Sequence, residues 1–459
     1  MLFCALALLA TACGSRLSDD ELATGGGTGS ASTANGSGTT TPGSTSNGGV
    51  AKIGTLPIPC GKGDKAPGAP PKGTVGVTAT TMKIAVISDR AGQIKVPTAS
   101  IEESMQAFVD WCNGFGGING RKLELTKIDS KLFSQLEATK SACNAGVFAI
   151  VGSGSVTDNQ GAQAMLDCGL MEVPAYTATA AKALSDNMVQ PLPNPTDQYN
   201  VGPALYVKSK FPTAIKKAAI IAGGIDTATI QAKRIREAYE SVGYKFIYDK
   251  TTEVIQQNYS AEAKAMKDAG VEYVNFVNST PEAVKLLRDM DTQGFHPQVI
   301  DFGQQYYDPE ILTAGKGAEG LNVLLNTVPF EEAKDSPALA EYLKAYDEVG
   351  SKIKPTSLGV QAFSAGLLFA TAAKAVGDNL SHESVLKELH GIKTWDGGGM
   401  HLLGHPGTNA VSTCFMYSQV QNGKFVRLYP TKPATFACDP AWGIDLKGDY
   451  GKGAKLKGN

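Results

Sequence analysis

The chain has 459 residues, room for two or three domains of ordinary size. It is 42% hydrophobic and 19% charged, enough to bury large cores, which excludes global disorder. Its 42 basic and 44 acidic residues leave a formal charge of -2, a balance that argues against nucleic acid or an anionic membrane face as the main partner.

The first element is the apolar run Leu2 to Ala12, too short to span a bilayer and suited to the core of a signal peptide. It ends in Ala10-Thr11-Ala12-Cys13-Gly14, small residues before a Cys, which resembles the lipobox of bacterial lipoproteins. The resemblance implies a lipoprotein signal segment over residues 1–13 in which the Cys13 thiol receives a diacylglyceryl group and becomes the new N-terminus, tethering the protein to the outer, extracytoplasmic face of the cell membrane. Residues 14–78 are expected as a disordered linker. From Thr24 to Gly49 every residue except Pro42 is Gly, Ser, Thr, Ala or Asn, and such a stretch buries too little apolar surface to offset its chain entropy.

Beyond Thr80, β-rich runs alternate with helical patterns. The strands are expected at Met82–Ser88, Lys122–Ile128, Val147–Gly152, Met171–Tyr176, Ala218–Ala222, Lys245–Tyr248, Val271–Val277, Gln298–Phe302 and Leu321–Leu325. Between the first two, Ser100–Asn113 places Ile101, Met105, Phe108, Val109 and Cys112 on one helical face, and Ser100 with Glu103 has the spacing of a capping box. Strand–helix alternation implies an α/β protein with parallel sheets covered on both faces. The pattern occurs twice, which predicts two doubly wound lobes: residues 79–200 plus 327–390, and residues 201–326 plus 391–445, with 446–459 as a flexible tail. Ser357–Val376 is one long helix with few charges, expected to be buried. Gln421-Asn422-Gly423-Lys424 is an Asn-Gly turn that joins Cys414–Val420 to Phe425–Leu428 in a hairpin.

With Cys13 lipidated and Cys4 removed, six of the eight Cys remain, an even number in an oxidising compartment. Cys143 and Cys168 sit at the ends of consecutive crossover helices, which strand order 2-1-3-4 would set side by side, so they are expected to pair. Cys414 opens the hairpin and Cys438 follows its return. Cys60 and Cys112 are left by elimination.

Enzyme signatures are thin, and neither a cofactor nor a metal site is expected. Gly315-Lys316-Gly317-Ala318-Glu319-Gly320 has a dinucleotide spacing but precedes a strand, so no helix N-terminus follows it. His401 and His405 are separated by Leu-Leu-Gly and followed by Pro406, which argues for a loop. Hydroxyl- and amide-rich residues recur instead at strand C-termini, where open α/β sheets bind ligands. They are Ser153, Ser155 and Thr157; Thr177 and Thr179; Asp226 and Thr227; Ser279; and Gln304, Gln305 and Tyr306. Gln361 on the long helix joins them as a candidate ligand contact.

Gly116-Gly117-Ile118-Asn119-Gly120-Arg121-Lys122-Leu123, with an Asp129 loop and a strand ending in Val151-Gly152-Ser153, resembles the type I periplasmic binding proteins, in the branch of branched-chain amino-acid ABC transporters. The resemblance covers residues 80–430. It implies two hinged lobes that close on a small-molecule solute and a monomer that delivers it to an ABC permease with its ATPase. It also implies a ligand-carboxylate loop at Ser155, Val156 and Thr157, and a second at Thr179, Ala180 and Ala181. The acid expected to pair a ligand ammonium is replaced by Gly303-Gln304-Gln305-Tyr306, with Asp301 the nearby carboxylate. A buried ammonium without a partner is costly, so the expected solute is a small organic molecule, carboxylate or amide, rather than an ordinary α-amino acid. A sensory component of the same fold, acting through a separate partner, is the alternative.

Overall fold

The computed structural model describes residues 51–92, 98–451 and 456; the signal peptide, Cys13 and linker residues 14–50 lie outside the described residues. The described chain starts with a hairpin of β1 (Lys52–Ile53) and β2 (Leu56–Pro57). Thr55 donates its N–H to the Gly398 carbonyl at 3.1 Å, and Ile53, Ile58, Cys60 and Val77 are buried. Residues 51–78 are therefore a packed strap and not the end of a linker. Apolar side chains spaced through this Gly- and Pro-rich stretch anchor it, and Cys60 is bonded to Cys112.

Lobe 1 begins with β3 (Thr81–Ser88), α1 (Ala99–Gly114), β4 (Lys122–Asp129), α2 (Gln135–Asn144), β5 (Ala149–Val151), α3 (Asn159–Asp167), β6 (Met171–Val173) and the short α4 (Ala180–Ala183). Its sheet is parallel throughout, in the order β4-β3-β5-β6. The expected capping box on α1 does not form. Helix α1 starts one residue earlier, after Thr98, and Ser100 Oγ instead lies 2.6 Å from Thr356 Oγ1.

The chain passes through β7 (Gln198–Asn200) into lobe 2, made of α5 (Gly202–Lys210), β8 (Ala218–Gly223), α6 (Asp226–Ser241), β9 (Phe246–Thr252), α7 (Ser260–Asp268), β10 (Tyr273–Val277), α8 (Thr280–Thr292), β11 (Val299–Phe302) and β12 (Leu321–Leu325). It returns to lobe 1 with α9 (Pro337–Glu348), α10 (Ser357–Val376) and α11 (His382–Gly391). Trp395 and Met400 belong to the core of lobe 1, so the chain stays there past residue 391 instead of crossing at that point. Two large apolar side chains decide this.

Lobe 2 is completed by β13 (Cys414–Gln421), β14 (Lys424–Tyr429) and β15 (Ala437–Cys438). Its sheet runs β14-β13-β12-β11-β10-β8-β9, parallel from β9 to β12 and antiparallel beyond, with β15 on β13. Asn422 and Gly423 have φ of 53° and 70°, the left-handed pair a tight hairpin turn requires. Strand β16 (Gly443–Asp445) pairs with β7. The tail beyond it is packed as far as Tyr450, contrary to expectation: Leu446 is buried, and the Tyr450 hydroxyl donates to Glu237 at 2.6 Å. The six Cys form Cys60–Cys112, Cys143–Cys168 and Cys414–Cys438. Helix α10 is buried along nearly its whole length against α1, which is why it needs so few charges.

Candidate functional site

Right-handed crossovers leave a crevice at the C-terminal ends of parallel strands, where strand order reverses. In lobe 1 that point lies between β3 and β5, and Ser88 bridges Gly154 there. The corresponding ends of β8, β10 and β11 face it from lobe 2. Between them lies a cavity of about 410 Å³ with walls from both lobes, within the range of small-molecule sites. Another cavity, of about 370 Å³, is lined by Leu184–Val189 turns, His390 and Asn409, away from the strand ends.

The cleft is largely aromatic and apolar. Tyr176, Tyr199, Tyr239, Phe276 and Phe302 line it, with Leu132, Leu192 and Leu358. Tyr176 lies against the backbone of Gly154, where an added Cβ would come within 2.1 Å of its Cε1, so only glycine allows this ring position. Tyr199 covers Arg234, whose guanidinium carbon is 5.6 Å from the ring centroid, and burial pushes the Tyr199 hydroxyl up to about 12. Leu132 has a φ of 70°, rare for a branched side chain.

Of the expected contacts, Thr177, Thr227, Ser279, Gln304, Gln305 and Gln361 line the cleft. Gln361 Nε2 on α10 donates to Gln304 Oε1 at 2.9 Å, a hydrogen bond from lobe 1 to lobe 2. Others point elsewhere. Ser153 donates to Glu172, itself ion-paired to Lys182. The Ser155 hydroxyl donates to Asp89 Oδ1 at 2.9 Å, and Thr157 donates to the Leu132 carbonyl. Thr179 donates to Asp158, whose other oxygen accepts the Ala178 N–H at 2.7 Å. Asp226 is exposed on the first turn of α6.

Tyr306, expected to hold the solute, is fully buried behind the cleft. Its hydroxyl accepts from the Asn278 N–H at 2.9 Å and donates to the Asn278 carbonyl at 2.9 Å. It positions Asn278, which lines the cleft, and does not line the cavity itself. Ser153, Ser155 and Thr179 are turned from the cleft because folding brings a carboxylate to each. A strand-end hydroxyl can be satisfied by a nearby buried carboxylate as readily as by a guest.

Sequence reasoning missed Tyr176, Tyr199, Tyr239, Gln190, Asn194, Asn275 and Asn278. Asn275 lies within β10, and the alternation of that strand was the one signal that could have placed it opposite buried Val274 and Phe276. Asp301 lines the cleft floor, where burial pushes its carboxyl up to about 6 against hydrogen bonds from Tyr273 at 2.7 Å and Tyr417 at 3.0 Å. Burial likewise raises Asp158 to about 6.

Ser364 and His401 are 2.7 Å apart, as a nucleophile and base would be, but both are sealed inside lobe 1. His401 Nδ1 faces the Leu402 carbonyl at 2.7 Å, so Nδ1 carries the proton and Nε2 accepts from Ser364. Burial pushes the imidazole down to about 4. Among the described residues no group of three or more His, Cys, Asp or Glu is arranged to hold a metal ion.

A profile of the periplasmic binding protein family matches residues 81–424. A Leu/Ile/Val-binding protein homolog of Brucella abortus is 26% identical over 308 residues, which cover 64% of this chain and 79% of that protein. A solved fatty acid ABC transporter substrate-binding protein from Thermomonospora curvata superposes with a TM-score of 0.67 at 18% identity, covering 80% of this chain and 95% of that one. A solute-binding protein of an ABC transporter from R. palustris, in complex with 4-hydroxybenzoate, gives 0.66 at 16% identity, covering 78% and 97%. At these identities the two superpositions establish the two-lobed fold.

Proposed function

The chain belongs to the periplasmic binding protein family, in its type I, two-lobed branch, and from that premise we propose that it is the extracytoplasmic solute-binding component of an ABC importer. The observation that carries the reading is the cleft itself. Both lobes contribute their strand ends to one cavity, and Gln361 and Gln304 join across it. A solute that touches both walls stabilises the closed arrangement by its differential affinity for it, which is the physical content of hinge closure. The closed form would then be presented to a membrane permease with its ATPase, and Cys13 would hold the protein at the outer face of the membrane by a lipid anchor. The solute is a small organic molecule and leaves unchanged: the buried Ser364–His401 pair lies outside the cleft.

X-ray scattering of the purified protein across a metabolite library tests this reading. One or more solutes should contract the radius of gyration and raise the melting temperature, and the same compounds should be recovered intact. Profiles unchanged across the whole library refute capture by closure.

A further inference from the structure

One acceptor in the cleft is buried and unpartnered, and several donors at the strand ends of lobe 1 are already taken. Asp89, buried after β3, accepts from the Ser130 hydroxyl, from the Ser155 hydroxyl at 2.9 Å and from the Val156 N–H at 2.8 Å. Asp158 accepts from the Ala178 N–H and the Thr179 hydroxyl. These two carboxylates occupy the donors that an anionic guest would need, and a further anion beside them would meet like charge at low dielectric.

Lobe 2 shows the complementary feature. Asn275 is 5% exposed and lines the cavity. Its Nδ2 donates to the Asp301 carbonyl at 2.6 Å, which sets the amide's orientation, and its Oδ1 has no hydrogen-bond partner. A buried acceptor left unpaired is unfavourable, and a donor that reaches it is rewarded. The carboxylate of Asp301 lies on the same floor, and among the described residues the lining holds no Lys, Arg or His.

Resting on the solute-capture reading above, we infer that the cleft takes a non-anionic solute with an apolar or aromatic body that donates an N–H to Asn275 Oδ1. Amide and amine share this chemistry. The rings of Tyr176 and Tyr239 pack its body, and the floor of the cleft receives its donor. An amine would add attraction to Asp301 and to the aromatic faces; a carboxylate would find neither.

The test is calorimetric titration of the full chain with benzamide, N,N-dimethylbenzamide, benzylamine and benzoate, and with the same four forms on 4-hydroxyphenyl and isobutyl bodies. In each set that binds, the primary amide or the amine should bind tightest. The dimethylamide, which has no N–H, should be roughly tenfold weaker, the effect of one unmet buried hydrogen bond. Asn275→Leu should remove that preference, with its melting curve checking that it folds. The inference is overturned if the acid binds tightest, if the dimethylamide equals the primary amide, if the preference survives in a folded Asn275→Leu, or if no set binds. Scattering separates the two readings. Contraction driven by the acids leaves capture standing and removes the N–H donor, whereas no contraction with these compounds or with the metabolite library removes both.

Discussion

Gly154→Ala probes the cleft wall at one atom. The new Cβ would stand 2.1 Å from Tyr176 Cε1 and 2.4 Å from Cδ1, where ordinary contact begins at 3.4 Å. The ring must therefore retreat by about 1.3 Å, and overpacking of this size costs about 1–3 kcal/mol. The Tyr176 ring lines the cavity, so its retreat alters the cleft wall and the cost falls on capture more than on folding. Affinity for whichever amide or amine binds should fall by roughly 5- to 150-fold, read by calorimetry, while the urea midpoint moves modestly. Tyr176→Ala should make the added methyl harmless, so the double variant should bind no worse than Tyr176→Ala alone. Unchanged affinity in a folded Gly154→Ala would refute the seating of Tyr176 on this glycine.

Tyr306→Phe strands the part-buried Asn278 N–H and should cost about 1 kcal/mol in urea unfolding, with a smaller effect on solute affinity than Asn275→Leu; full stability with abolished binding would return Tyr306 to the ligand's surface. His401 is held neutral when folded and titrates at its ordinary 6.5 when unfolded. It therefore costs nothing above that value and destabilises as pH falls through 6.5 toward 4, by up to about 3 kcal/mol. His401→Gln should flatten that part of the stability–pH profile, and an unchanged slope counts against a neutral buried ring. Breaking Cys60–Cys112 with paired Cys→Ser changes frees a 52-residue separation and should cost about 4 kcal/mol by loop closure. A loss below about 1 kcal/mol in oxidising buffer would show that the strap contributes little to lobe 1 stability.

The alternation of strands and helices was legible from residue 81 to residue 429, and so was the order of the first four strands, because a parallel sheet needs apolar runs at a spacing that crossover helices dictate. Cys143–Cys168 followed from that topology, Cys414–Cys438 from the hairpin, and Cys60–Cys112 by elimination. The ends of the body were less legible. Residues 51–78 are rich in Gly, Pro and Lys and residues 446–450 are short and mixed, and both are ordered by docking onto the folded lobes.

The candidate site divides along a similar line. Strand ends placed the cleft, since where a sheet's C-terminal edge opens follows from connectivity. Which side chains face the guest did not follow, because a hydroxyl's partner is chosen by three-dimensional neighbours. Asp89 reaches Ser155 across 66 positions and Tyr306 reaches Asn278 across 28, and each takes a group that local sequence offers to a ligand. By itself, then, the sequence determined the α/β lobes, their duplication and the Cys143–Cys168 pair, all consequences of periodicity and chain connectivity. Only the tertiary structure decided that the Ser155, Val156, Ala178 and Thr179 donors of lobe 1 are engaged by Asp89 and Asp158 and that Asn275 Oδ1 is left unpartnered, because hydrogen-bond satisfaction depends on distances the chain sets only after it folds.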